Sequence, residues 1–229
     1  MTLGIMQPYF MPYIGYWQLM AAVDKYVIYD DVNFIKKGWI NRNNILINGS
    51  KQLFSISLEG VSQNKLINEI QIADDFVKLR KTISMAYSKA PYYEETMELL
   101  DQIFTFESKN LAKFLENSIR LVADYLGFDT EIILSSDVEK DNSLRGQEKI
   151  LEICKNLNAD VYYNAIGGQE LYHKDDFDAL GVDLKFVQSE ITAYKQLKNE
   201  FVGGLSIIDV LMFNSKTEVQ NMLKQYTTI

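Results

Sequence analysis

Five short apolar runs set the limits on what this chain can fold into. Leu3 to Gln7, Lys25 to Tyr29, Thr130 to Leu134, Val161 to Tyr163 and Val182 to Val187 have strand length, and helical patterns stand between them. Gly15 to Val23 carries Trp17, Met20 and Ala21 at helical spacing between the first two runs. Ile150, Cys154 and Leu157 share one helix face before Val161. A further helix, about Gln169 to Leu180, leads through Gly181 into the last run. Strands that follow one another through helices pair in parallel by crossover connections, so the chain reads as an α/β fold with an open, mostly parallel, doubly wound (Rossmann-like) sheet.

Two segments decorate that plan. Trp39 to Ile47 and Leu53 to Leu58 flank Asn48-Gly49, a pair that tolerates the positive φ angles of a tight hairpin turn, so an inserted β-hairpin is expected there. The middle is helical. Asp74 and Asp75 precede Phe76, Leu79, Ile83 and Tyr87, and Pro91 separates these from Leu111, Leu115, Ile119, Val122 and Leu126, whose helix ends at Gly127. In the tail, Ser215-x-x-Glu218 forms a capping box before Val219, Met222, Leu223 and Tyr226. Three prolines, scattered glycines and no fixed repeat offer no linker, so residues 1–229 are expected to form a single domain.

Composition then removes several classes of function. A formal net charge of −8 argues against a broad nucleic-acid surface, which needs a basic face. One cysteine, Cys154, excludes an internal disulfide framework, and one histidine, His173, leaves no His/Cys metal cluster. Neither a signal-peptide pattern nor a membrane-length apolar stretch is present, and the expected location is the cytoplasm.

The residues that core packing does not explain lie between Gln7 and Arg42. In an open parallel sheet, ligands bind beyond the carboxyl ends of the strands, where strand order reverses. Gln7, Pro8 and Tyr9 follow one strand and Asp30 and Asp31 the next, so both sets should face one crevice. Gly15 would let backbone approach a ligand, with free N–H groups at the following helix start to meet an anion. Lys36, Lys37 and Arg42 bring three cations and no acid into seven residues, with Trp39 and Asn41 interleaved. A focused positive site on an acidic protein suits a small phosphate or carboxylate. The substrate-binding candidates are therefore Gln7, Tyr9, Gly15, Lys36, Trp39, Asn41 and Arg42, with Arg42 expected to point its fork into the crevice. Asp30 and Asp31 are the catalytic candidates, as general base or Mg²⁺ ligands, against the alternative that they cap a loop. Cys154 reads as a buried small hydrophobe and His173 as a surface residue.

The stretch Gln7-Pro8, Phe10, Pro12, Gly15-Tyr16, Asp30-Asp31, Trp39 and Asn41-Arg42 resembles the opening of the WbqC-like family. The likeness continues at Tyr87 with Ala90-Pro91-Tyr92, at Tyr162 before Gly167-Gly168, and at Leu205-Ser206-Ile207-Ile208-Asp209. The resemblance implies a bacterial protein of O-antigen (lipopolysaccharide) or related surface-polysaccharide biosynthesis. It implies a transferase passing an acyl or aminoacyl (glycine) group to an activated amino sugar, with a nucleotide-linked sugar as the anionic substrate. A weaker likeness joins Pro12-Tyr13-Ile14-Gly15-Tyr16 to the Pro-x-His-x-Gly-His loop of nucleotidylyl-transferring enzymes. It implies nucleotidyl transfer or adenylate formation with ATP or another nucleotide and Mg²⁺, although tyrosines replace the histidines. A third reading is a non-catalytic nucleotide-sugar-binding component.

Overall fold

A computed structural model describes residues 1–198 and 200–229. In chain order the elements are β1 (Thr2–Met6), α1 (Ile14–Ala21), β2 (Lys25–Ile28), β3 (Arg42–Ile47), β4 (Ser50–Ser55), β5 (Leu58–Glu59), β6 (Gln71–Ile72), α2 (Val77–Tyr87), α3 (Tyr93–Phe104), α4 (Leu111–Leu126), β7 (Glu131–Leu134), α5 (Gly146–Asn156), β8 (Val161–Ala165), α6 (Lys174–Asp178), β9 (Asp183–Ser189), α7 (Ile207–Phe213), α8 (Lys216–Met222) and β10 (Tyr226–Thr228). The chain is mixed α/β with a mostly parallel central sheet. Its strand order is β7-β2-β1-β8-β9-β10, and β10 alone runs antiparallel to its neighbour.

Side chains alternate across this sheet and sort into two cores. Leu3, Ile5 and Val27 join Ile150, Ile153, Cys154 and Phe177 of α5 and α6 on one face. Tyr26 and Ile28 join the helices of the other face through Trp17, Phe114 and Ile119. Gly4 keeps β1 close to β2 there, since a Cβ would stand 3.2 Å from the Tyr26 ring. α4 starts where the Asn110 side chain accepts the Lys113 N–H and stops at Gly127, which takes a left-handed φ of 75°. β3 and β4 pair antiparallel through Asn48 and Gly49, at φ 50° and 75°.

Several elements depart from the sequence expectation, each for a packing reason. The segment expected as one helix from Gln169 to Leu180 is a 3-10 turn over Ile166–Leu171, an extended link, and then α6. The break brings the Tyr172 ring against Phe177 and Tyr162, at 5.7 and 5.8 Å between centroids. The strand expected from Trp39 begins only at Arg42, because residues 35–38 turn back on themselves. Tyr226 leaves the tail helix for β10. There the buried Gln18 amide reaches the carbonyls of Glu190, Met222 and Gln225, tying α1 to the last turn of the chain. α3 and α7 were not anticipated.

Candidate functional site

Strand order turns at β1. β2 follows it directly on one side, while β8 arrives on the other with Thr2 facing Val161. The loops leaving β1, β2 and β8 therefore depart from the same, carboxyl end of the parallel strands, where the sequence places the crevice. Gln7 and Tyr9 are half-buried there. The Tyr9 ring leans on Tyr16 at 5.6 Å, and the Tyr16 hydroxyl donates to the Gln7 carbonyl. The loop behind them is held from several sides. Asn43 Nδ2 donates to the carbonyls of Phe10 and Met11, Ser206 Oγ donates to Met11, and Trp17 Nε1 donates to Pro12. Met11 sits at φ 47°, a conformation this clamp maintains. Gly15 lies under the Tyr13 ring, where a Cβ would meet ring atoms at 2.4 Å. Tyr13 thus covers the start of α1, the place where sequence reasoning expected an anion.

At the end of β2 both oxygens of Asp30 are engaged, whereas Asp31 is held through Oδ2 and its buried Oδ1 has no partner among the described residues. Asp30 is buried; its Oδ1 accepts the Ser136 N–H at 3.0 Å and its Oδ2 accepts Asn68 Nδ2 at 3.2 Å. Asp31 Oδ2 lies 2.9 Å from Lys140 Nζ and 3.0 Å from Lys149 Nζ, with both ammonium groups withdrawn from solvent. Desolvation pushes the Asp31 carboxyl up, but the Lys140 and Lys149 ammonium groups outweigh it and hold the pKa below the usual carboxylate range. The two lysines balance Asp31 and the neighbouring buried Asp30 charge for charge. Lys149 also donates to the Asp31 carbonyl and sits 5.3 Å from the Tyr29 ring centroid. Asp31 Oδ1 is free to accept, but no third acidic, histidine or cysteine side chain joins the two acids among the described residues, and two ammonium groups already stand on Asp31.

At the same end of the sheet, β8 and the turn after it add residues that sequence reasoning did not assign. Asn164, buried at the end of β8, accepts the Ala165 N–H. Gly168 packs so closely on it that a Cβ would stand 2.5 Å from the Asn164 amide nitrogen. Gly167 has open space where a side chain would be. Tyr29 and Tyr172 add two phenols, both raised in pKa by burial first; at Tyr29 the Asp31 charge adds to the rise while the Arg145 guanidinium opposes it. The signal available was the Gly167-Gly168 pair directly after a strand.

The hairpin cations are placed differently. Arg42 spends its Nε on the Gly38 carbonyl, at 2.8 Å, and its Nη2 on the Lys37 carbonyl, while its guanidinium carbon lies 5.8 Å from the Trp39 ring centroid. That spends the Nε side of the guanidinium on the turn and leaves Nη1 and the second Nη2 hydrogen without a partner among the described residues. Asn41 Nδ2 donates to Ile56, joining the loop to the strand opposite, and Lys36 is solvent-exposed. A separate groove of about 840 Å³ runs beside edge strand β7, but Arg120 already caps the Ile132 carbonyl within it.

A family model described as the WbqC-like protein family matches residues 7–221, nearly the whole chain and every residue of this crevice. The chain belongs to the WbqC-like family. One relative of this WbqC-like protein is an uncharacterized protein of Mycobacterium tuberculosis, Rv1507c, 26% identical over 226 residues that cover 96% of each chain. No solved structure matches it. No helix of this WbqC-like chain is long and apolar enough to cross a membrane, judged on the described residues.

Proposed function

We propose that the crevice over β1, β2 and β8 binds a small anionic substrate of the nucleotide-linked sugar class, and that the protein is a transferase of surface-polysaccharide assembly acting on an amino sugar. The observation that carries this reading is the reversal of strand order at β1, where the loop with Gln7 and Tyr9 and the segment with Asn164, Gly167 and Gly168 leave the same end of the sheet. That is where doubly wound, Rossmann-like sheets hold nucleotides. Membership of the WbqC-like family supports the pathway. In this reading Gln7, Asn164 and the phenols orient the sugar by hydrogen bonds, Tyr9 offers a stacking face, and the bare backbone at Gly167 admits close approach. Clamped by two ammonium groups, the Asp31 carboxylate is too weak a base to take the amine proton.

That engagement of both acids also favours a second reading, a nucleotide-sugar-binding component without turnover. One experiment separates the two. Nucleotide-linked amino sugars are screened by thermal shift, and each stabilising ligand is then incubated with a glycyl or acyl thioester, or with charged glycyl-tRNA, and analysed by mass spectrometry. A mass gain on the sugar is the expected result. Stabilisation without a product removes the transferase and leaves the binder, and no stabilisation by any member removes both.

A further inference from the structure

Residues 35–39 form a turn tied to the core at its end, where the carbonyls of Trp39 and Ile40 accept the Phe10 N–H. The Gly38 N–H returns to the Ile35 carbonyl, and Arg42 braces the carbonyls of Lys37 and Gly38 from below. Lys37 is held at φ 62°, which non-glycine residues rarely adopt. The product of this bracing is exposure: Ile35 remains 49% and Trp39 44% accessible, with Lys36 and Lys37 exposed between them. Flanking residues Phe34 and Ile40 are buried, so the turn is rooted in the core and presents only its tip.

Charge separates this tip from the rest of the molecule. The formal net charge is −8, yet from Val32 to Leu58 there is no acidic residue, while Lys36, Lys37, Arg42 and Lys51 are cations. We infer that the Ile35–Trp39 turn is a peripheral docking site for an anionic lipid surface, with Ile35 and Trp39 entering the interfacial layer and Lys36 and Lys37 meeting the headgroups. Tryptophan favours that layer, and lysines near an anionic leaflet gain from its surface potential. A single turn cannot supply the roughly 800 Å² per partner that a stable protein interface buries, whereas shallow membrane contact needs only a few apolar tips and basic neighbours. The inference is independent of what the crevice binds.

Trp39 provides the readout, because the other tryptophan, Trp17, is fully buried. The full chain is mixed with vesicles of phosphatidylcholine alone, or of phosphatidylcholine with phosphatidylglycerol, and followed by sedimentation and tryptophan emission. Binding with a blue shift is expected only on the anionic vesicles, weakening as salt is raised. Two double variants, Ile35→Ser with Trp39→Ser and Lys36→Glu with Lys37→Glu, should each weaken binding by roughly tenfold or more with melting temperature unchanged, since all four side chains are exposed. The inference is overturned if the wild type binds neither vesicle or if binding survives both variants. It is equally overturned if light scattering shows that the turn joins two copies of the chain, or if an acidic peptide binds it while vesicles do not.

Discussion

Asp31 is one carboxylate shared by two buried ammonium groups, and its chemistry follows from that arithmetic. Removing one lysine leaves the other, so Lys149→Met should cost roughly 2 to 3 kcal/mol, less than the ~3–5 kcal/mol of breaking an isolated buried pair. Denaturant titration measures it. The pH dependence has a defined sign. Because the folded pKa of Asp31 lies below its unfolded value, its contribution to stability is present above the unfolded value of ~3.9 and is lost as pH falls through the lowered folded value. Lys149→Met should therefore shift the acid unfolding limb to higher pH, and an unmoved limb would show that Lys140 alone holds the carboxylate. In the sequence, Asp30-Asp31 read equally as base, metal ligand or cap. What the sequence did not show was that Lys140 and Lys149, more than a hundred residues away, arrive at the same oxygen. Cys154 is buried on a helix face, its thiol pushed up to about 12 by desolvation.

Among the elements, those with local signals were the legible ones. Asn48-Gly49 turns, Gly127 ends α4, and the Ser215–Glu218 capping box forms, because each is set by the φ angle or hydrogen bond of the residue itself. α7 was not legible: seven residues long, with all but Phe213 buried, it lacks the polar face that marks a helix in sequence. Nor was the segment after β8, where Gly167 leaves open space and Gly168 packs on Asn164. Those glycines give a paired test. Gly168→Ala forces the buried Asn164 to move and should destabilise by about 1 to 3 kcal/mol. Gly167→Ala meets open space and should leave stability within about 0.5 kcal/mol, yet weaken the stabilisation conferred by a crevice ligand. Thermal denaturation with and without ligand checks both, and full ligand response in Gly167→Ala would move the ligand away from this loop.

Across the whole molecule, Asp209 joins parts that sequence keeps far apart. Its carboxylate accepts the hydroxyls of Tyr87, at 2.8 Å, and Tyr194, at 2.6 Å, and the Gln196 amide at 2.6 Å, while the Tyr87 oxygen accepts the Leu46 N–H. The hairpin, α2, α7 and the long connection after β9 thus meet at one buried acid. Desolvation raises its pKa despite the three donors. Here the sign reverses: the contribution is full below ~3.9 and is lost as pH rises through the raised folded value. Asp209→Asn should therefore flatten the pH dependence, gaining on the wild type as pH increases, and melting curves of both proteins across that range decide it. A parallel slope would show that burial and the three donors cancel at Asp209, and a wild type that gains on the variant would show that the donors prevail. The position of β1 has a consequence of another kind. Made from the N-terminus, the central strand leaves the ribosome early, but its partner β8 follows only after the hairpin, the helical middle and α5. At ~5–20 residues per second, Leu3 and Ile5 wait on the order of ten seconds for the helix that covers them, and Gln18 waits longer for Gln225. The protein's period of greatest exposure to aggregation and chaperone capture is therefore its own synthesis.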